Sequence, residues 1–245
     1  MDESELNEMF SGSDATALEI LDDSSKQFIS STDEFRVYFE TLEQLLSKEN
    51  EKEALNFKES AQHLSKGQQL DELETSILPY WEDIFDFNLK SSFVMSLFSA
   101  LEVYLESIRK AVHWAKNTEA TKKDARKPFL KKTKKMLDSH FGLSIHSPDW
   151  DAMERIYAIR NVLTHTQGRC FKPYDSPHIT EKELEIKLVQ FNRVTDIVEG
   201  TNDISILHGW IKIDPAFCKE TAQMVRKFGI DLHIIIRDGL TNRKD

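Results

Sequence analysis

The residues best suited to chemistry lie in one short stretch, Arg160-Asn161-Val162-Leu163-Thr164-His165. Helical residues advance by about 100° each, so Asn161 and His165, four positions apart, share a face that the long Arg160 side chain can reach. An imidazole transfers protons near neutral pH, and a guanidinium binds phosphate oxygens as a permanently charged fork. The stretch therefore predicts a site that holds a phosphate and moves a proton beside it.

The spacing of Arg and His alone is a weak signal. Arg226 followed by His233 gives a second match, interrupted by Gly229. Requiring Asn directly after the Arg leaves only Arg160, and a chain of this composition meets that stricter pattern by chance about once in a hundred times. The alternative for Arg160 and His165 is structural, since basic side chains near a helix C-terminus complement its dipole and cap its carbonyls.

A dense basic run precedes this stretch. It can bind the phosphates of RNA, or it can be an ordinary solvated helix face. No aromatic residues are interleaved with the run, so the sequence does not predict base-specific contacts. The residues predicted to contact RNA are Lys122, Lys123, Arg126, Lys127, Lys131, Lys132, Lys134 and Lys135.

Glu102 lies within the most apolar helical stretch of the chain. A buried carboxylate needs a basic or hydrogen-bonding partner. Two alternatives follow: Glu102 holds an arginine in a site, or it faces solvent through the polar stripe that includes Ser99, Glu106 and Lys110.

Several common enzyme signatures are missing from the sequence. There is no glycine-rich phosphate loop, no HExxH, no GxSxG and no paired CxxC. The chain therefore lacks the usual residues of P-loop hydrolases, zinc proteases and serine hydrolases. His165, Cys170 and His178 do not supply four ligands at a zinc-finger spacing. We expect no metal and no cofactor.

The composition favours long helices. The 245 residues include only 8 Gly and 6 Pro, too few for the frequent turns of a sandwich or barrel. Two cysteines and the absence of a signal peptide predict a cytoplasmic protein, and no apolar run is long enough to cross a membrane. Residues 1–88 carry 6 Lys and Arg against 22 Asp and Glu, while the remainder carries 26 against 20. The N-terminal acids are solvated surface, or they shield the basic part or bind a partner.

The apolar spacing predicts an all-α up-and-down bundle with one short hairpin. We expect frayed residues before Gly12, a helix starting at Ser31 to Glu34, and a second helix ended by Gly67. A third segment around residues 70–81 should kink at Pro79. The further expectations are a central helix over 91–117, a basic loop over 116–127, helices from Pro128 to Gly142 and from Pro148 towards Gly168, a loop over 166–180, a helix from Thr180 to Gly200, a hairpin over 204–213, and a helix from Pro215 to Gly229 with helix or strand beyond it.

On the Arg160, Asn161 and His165 motif the chain resembles the HEPN superfamily, helical domains whose hallmark is an Arg, usually followed by Asn, then four to six residues and a His. The stretch "SALEVYLESI" is similar to the helix with a buried acidic residue that precedes the motif helix in many such families, which implies a supporting role for Glu102. Gln167 stands two positions after the His, where relatives silenced by nucleotide transfer carry a Tyr, so that inhibition is not expected.

The resemblance covers residues 88–240 and divides the chain into an acidic helical N-terminal region, 1–87, and a HEPN-like domain, 88–245. It implies a metal-independent endoribonuclease, a toxin or antiphage effector, that acts as a homodimer with a composite active site and is regulated by an antitoxin or other protein. The alternative function is a noncatalytic module that binds a protein or a nucleotide.

Overall fold

The computed structural model describes residues 14–73, 75, 85–116, 128–141, 148–166, 168, 180, 192, 194–201, 203–207 and 210–241. The expectations for the first dozen residues and for the kink at Pro79 lie outside these residues. So do residues 117–127 of the predicted basic loop over 116–127, residues 169–179 of the predicted loop over 166–180, and residues 181–191 of the predicted helix from Thr180 to Gly200.

The described chain is helical apart from one hairpin, so the predicted all-α fold with a short hairpin is confirmed. None of its helices is long and apolar enough to cross a membrane. Residues 194–199 are also helical, and Gly200 forms the turn after them. In chain order the elements are α1 (Asp14–Ser60), a 3-10 turn (Ala61–His63), α2 (Lys66–Glu72), α3 (Phe87–Ala115), α4 (Phe129–Phe141), α5 (Pro148–Thr166), β1 (Ile204–Leu207), β2 (Trp210–Ile213) and α6 (Pro215–Thr241).

Helix α1 runs without a break through the helix start that the sequence predicted at Ser31 to Glu34, so that prediction is wrong. Thr32 does not cap a helix; its Oγ1 donates to the carbonyl of Ile29, 2.9 Å away. Side chains of this type compete for backbone groups at helix ends, but within a helix they bond back to the preceding turn. Burial explains the continuity, because one stripe of α1 stays buried on both sides of Thr32 at Ala17, Leu21, Ser25, Phe28, Thr32 and Phe39.

Gly67 does not end a helix, contrary to the sequence prediction; it lies inside α2. The helix begins at a capping box, in which Ser65 Oγ accepts from the amide of Gln68 and the Gln68 side chain accepts from the amide of Ser65. The Ser65-to-Gln68 spacing is the sequence signal for this start.

The three predicted helices in the middle of the chain are confirmed as α3, α4 and α5. Helix α3 carries an almost unbroken buried face from Phe93 to Val112. Helix α4 buries Phe129, Leu130, Thr133, Met136 and Leu137. Helix α5 begins at Pro148, with Asp149 and Asp151 in its first turn, where the helix dipole favours negative charge.

The hairpin predicted over 204–213 is also confirmed. Strands β1 and β2 are antiparallel, with Ile204 opposite Ile213 and Leu207 opposite Trp210. The open question beyond Gly229 is settled in favour of helix, since α6 continues to Thr241.

The chain divides into two compact units, each built from several segments. Unit 1 consists of the described parts of Met1–Asp33, Leu97–Glu154 and Gln223–Asp245. In it, Phe28 stacks on Tyr104 with ring centroids 4.6 Å apart, and Trp150 meets Phe228 edge to face at 4.8 Å. The phenol of Tyr104 donates to the carbonyl of Gly229, and burial raises its pKa to about 12.

Unit 2 consists of the described parts of Glu34–Ser96 and Arg155–Ala222. Its core includes Phe39 and Phe93, whose ring centroids lie 4.4 Å apart. Both units therefore contain buried side chains of α1. The division of the chain at residues 87 and 88 stays a prediction.

Candidate functional site

Helix α5 places the predicted catalytic stretch by burying the opposite side of the helix. Ile156, Ile159 and Leu163, spaced three and four apart, are all buried in unit 2. With about 100° per residue, Asn161 and His165 lie roughly opposite this stripe and Arg160 lies at its flank. Accordingly His165 is exposed, and Arg160 and Asn161 are half-buried.

Arg160 is held by residues of its own helix. Its Nη1 donates to Asn161 Oδ1 over 3.1 Å, and its guanidinium carbon lies 5.9 Å from the centroid of the Tyr157 ring. Its buried Nε makes no hydrogen bond to the described part of the chain. Asn161 thus orients the guanidinium, a role that fits an Asn directly after the Arg.

His165 lies in the last turn of α5. The preceding residue, Thr164, donates its Oγ1 hydrogen to the carbonyl of Arg160, one turn earlier, over 2.8 Å. Because the imidazole is exposed, a bound molecule can reach it without any rearrangement of the core.

The end of α5 is joined to the hairpin through Gly168. This residue has a φ of 79°, which favours glycine. A Cβ at this position would lie 2.7 Å from Cε2 of Phe87 and closer still to Cζ. The Gly168 amide donates to the carbonyl of Val162, and its carbonyl accepts from the amide of Ile211 over 2.9 Å. The backbone of β2 therefore fixes where the helix with His165 ends.

Sequence reasoning missed the contribution of β2 to this region. Trp210 is 41% exposed and contacts Phe87 edge to face, with ring centroids 6.4 Å apart. The alternation of Trp210, Ile211, Lys212 and Ile213 is the signal that could have placed Trp210 on an outer face.

Glu102 is exposed on α3 and forms no ion pair with a described residue. This position agrees with the solvent-facing alternative. Its predicted supporting role in the site stays a prediction.

The four described lysines of the basic run lie on α4 outside its buried stripe. Lys131 and Lys135 are exposed, whereas Lys132 and Lys134 are half-buried. Lys134 Nζ lies 5.9 Å from the centroid of the Trp150 ring, a cation–π arrangement that leaves the charge at the surface. Lys122, Lys123, Arg126 and Lys127 lie outside the described residues.

The cysteine Cys218 is buried, and burial raises the pKa of its thiol to about 12. A neutral thiol is a poor nucleophile and a poor metal ligand. Among the described residues no group of three or more His, Cys, Asp and Glu side chains could hold a metal ion, and Cys170 and His178 lie outside them.

Unit 2 also has an apolar groove of about 430 Å³ between α1 and the start of α3. Tyr38 is 62% exposed at its edge. Acidic side chains outnumber basic ones on this part of α1, with seven Glu against four Lys and Arg over residues 34–60. The groove is lined by Phe35, Tyr38, Phe39, Leu42, Leu46, Phe85, Asn88, Leu89, Ser92, Phe93 and Ser96.

Compared with protein-family models, with curated proteins and with solved structures, the chain matches none.

Proposed function

We propose that this protein is a metal-independent endoribonuclease with Arg160 and His165 as its catalytic residues. The observation that carries the proposal is the arrangement on α5, where Asn161 holds the Arg160 guanidinium and His165 is exposed one turn further on. These side chains can bind a phosphate and transfer a proton without a metal ion.

The reaction that fits these groups is internal transfer within RNA. The 2′-hydroxyl loses its proton to an imidazole, and its oxygen forms a bond to the neighbouring phosphorus. The bond from phosphorus to the 5′-oxygen breaks, and an imidazolium protonates that oxygen. The products are a 2′,3′-cyclic phosphate and a 5′-hydroxyl end. Arg160 stabilises the negative charge that gathers on the nonbridging oxygens.

This chemistry needs both a proton acceptor and a proton donor, while each motif supplies one His. We therefore propose that two copies of the chain form one composite site, with the imidazole of each copy in one of the two roles. We also propose that the protein acts as a toxin or antiphage effector, and that an antitoxin or other regulatory protein inhibits it.

The lysines of α4 support binding of RNA through its backbone. Each Lys that neutralises a phosphate releases a condensed counterion, so affinity for RNA should fall steeply with added salt. Because Lys131 and Lys135 are exposed and lie four residues apart, they present two charges on one helix face.

The proposal is tested with purified full-length protein, single-stranded RNA and excess EDTA. We expect wild type to cleave the RNA to cyclic phosphate ends, and we expect His165→Ala and Arg160→Ala to lose at least about 100-fold in rate, the usual contribution of a proton-transfer group or a charge-stabilising donor. The matched controls are His63→Ala and Arg155→Ala, which remove an exposed His and an exposed Arg elsewhere and should leave the rate unchanged.

A substrate with a single ribose at the cleavage site, the rest being deoxyribose, isolates the role of the 2′-hydroxyl. It should be cut at that ribose only. Equal rates for wild type and His165→Ala, or cleavage of all-deoxyribose DNA, would overturn the proposal.

A second candidate function is a noncatalytic module that binds a basic amphipathic helix. The apolar groove of unit 2 and the excess of Glu on α1 favour this occupant, since a helix in a groove presents apolar anchors while its charges meet the rim. The same assay separates the two functions. If wild type cleaves no RNA under any condition, the ribonuclease is excluded and the noncatalytic binding module remains as the proposed function.

A further inference from the structure

Tyr157 lies one turn before the predicted catalytic residues of α5. It precedes Arg160 by three positions and Asn161 by four, so the three side chains are neighbours on the helix surface. Side chains of a helix lean towards its N-terminus, so the long Arg160 side chain reaches back over Tyr157. The guanidinium carbon accordingly lies 5.9 Å from the centroid of the Tyr157 ring, and both residues are half-buried.

The ring can hold the guanidinium without neutralising it. Among the described residues no carboxylate pairs with Arg160, so its positive charge stays available to a phosphate. The negative face of an aromatic ring attracts a cation and uses none of the N–H donors of the arginine. Tyr157 therefore restricts where the charge lies and leaves the hydrogen bonds of Arg160 for a ligand.

The contacts of Arg160 leave one edge of the guanidinium for that ligand. Nη1 donates to Asn161 Oδ1, 3.1 Å away, and Nε is buried. The donors that remain are on Nη1 and Nη2, whose shared edge can bind two phosphate oxygens as a fork.

We propose that Tyr157 is a positioning residue for Arg160, and that its ring holds the guanidinium with the edge of Nη1 and Nη2 towards the phosphate of bound RNA. The inference rests on the proposed ribonuclease function and adds a residue that acts through Arg160. The face of the ring does the positioning, and the phenol hydroxyl takes no part. Tyr157→Phe should therefore keep the function, whereas Tyr157→Leu, which removes the aromatic face, should impair it.

The first test is a double-mutant cycle on RNA cleavage by the full-length protein in excess EDTA. Tyr157→Leu should lower the rate roughly 3- to 30-fold, the range that one cation–π contact accounts for, and Tyr157→Phe should stay within about 2-fold of wild type. In an Arg160→Ala background Tyr157→Leu should change nothing further, because the group that the ring holds is already gone. A general disturbance of α5 would instead lower the rate in both backgrounds. Arg155→Ala, at an exposed position of the same helix, is the control and should leave the rate unchanged.

A second cycle measures binding and needs no cleavage. A fluorescein-labelled 12-nucleotide oligouridylate is titrated into full-length His165→Ala protein, and Tyr157→Leu is added with Arg160 present and with Arg160→Ala. We expect a loss of affinity of roughly 3- to 30-fold in the presence of Arg160 and none in its absence. Phenylalanine and its monofluoro and trifluoro analogues at position 157 keep the shape of the ring, and thus the fold, while its negative face weakens stepwise. Affinity should fall in that order.

The inference would be overturned by equal rates and affinities of wild type and Tyr157→Leu, by an equal loss with and without Arg160, or by an affinity that does not change with fluorination. A wild type that cleaves RNA without this coupling overturns only the inference. Coupled binding without cleavage overturns only the ribonuclease, and a wild type that neither binds nor cleaves RNA overturns both.

Discussion

His233 is an imidazole whose surroundings disfavour its protonation. Its side chain is only 17% exposed, and its Nε2 lies 3.2 Å from Oδ1 of Asp22. Arg237 Nη1 lies 3.1 Å from the same oxygen. Burial lowers the pKa of His233 below 6.5; the Asp22 carboxylate opposes this shift and Arg237 adds to it. The second Arg and His pair of the sequence thus has a structural use, with Arg226 paired to Asp33 and His233 to Asp22.

The lowered pKa predicts how stability depends on pH. The unfolded chain, with an ordinary His pKa near 6.5, binds a proton more readily than the folded protein, so His233 destabilises the fold progressively as the pH falls from 6.5 through the folded pKa. His233→Gln removes this titration. The free energy of unfolding of wild type relative to His233→Gln should be constant well above pH 6.5 and should fall as the pH drops below 6.5 towards the folded pKa.

Urea denaturation across this pH range measures the effect. His63→Gln, at an exposed position, is the control and should run parallel to wild type. The prediction would be contradicted if the free energy of unfolding of wild type rose relative to that of His233→Gln as the pH falls.

Residue spacing was enough to place Asn161 and His165 on one face of α5, because that inference needs only the helical period. Residue spacing did not decide whether Glu102 lies on the buried or the exposed face of α3, since an acidic residue in an apolar stretch is compatible with both. Nor did it predict the hydrogen bond between Gly168 and β2, because a bond between two backbone groups about 40 residues apart does not depend on which side chains those residues carry.

At the scale of elements, α1 shows why local signals mislead. Ser31 to Glu34 has the composition of a helix start, yet the buried stripe of α1 continues through Thr32, with Phe28 four residues before it and Phe39 seven residues after it. Burial of a continuous stripe outweighs a capping preference of about 1 kcal/mol. The same argument explains Gly229, which lies within α6 between the buried Phe228 and Leu232. It does not apply to Gly67, because α2 has no buried residue and begins at the capping box of Ser65 and Gln68.

The two glycines give a matched prediction. Nothing lies within 4 Å of a Cβ added at Gly67, whereas at Gly229 the Cβ would lie 2.9 Å from Cδ1 of Phe28 and closer still to Cε1. Gly67→Ala should stabilise the protein by about 0.5–1 kcal/mol through helix propensity. Gly229→Ala should destabilise it by about 1–3 kcal/mol, because Phe28 must shift off Tyr104.

Guanidinium denaturation of both variants checks the pair. Gly229→Ala combined with Phe28→Leu should recover part of the loss, since the smaller side chain makes room for the added methyl group. Equal stability of the two Gly→Ala variants would show that Phe28 does not pack against Gly229.

At the scale of the whole molecule, the acidic N-terminal part of the chain is not separable from the core. Phe28 of α1 is buried in unit 1 and Phe39 of α1 is buried in unit 2. Losing one buried Phe side chain costs about 3–5 kcal/mol, against a total stability of about 5–15 kcal/mol for a typical protein. The charge asymmetry of the sequence could not reveal this, because a count of acidic residues does not show that the same helix also buries a stripe of apolar side chains.

We therefore expect deletion of residues 1–60 to abolish cooperative unfolding, as measured by thermal denaturation followed by circular dichroism. Leu55→Ala is the control: this leucine of α1 is 62% exposed, and its loss should change stability by no more than about 0.5 kcal/mol. A truncated chain with a sharp transition near that of wild type would contradict this view of α1. A test of whether the acids of α1 shield the basic part of the chain should accordingly replace Glu by Gln and keep the helix.

The contact between Gly168 and Ile211 is made by main-chain atoms, so its conservation would be invisible in an alignment that scores side chains. Ile211 can be replaced by other apolar residues while its amide still donates to the carbonyl of Gly168. Only proline at position 211 would remove the donor. Related proteins that preserve this contact could thus diverge widely in the hairpin and still hold the histidine end of the motif helix in the same place.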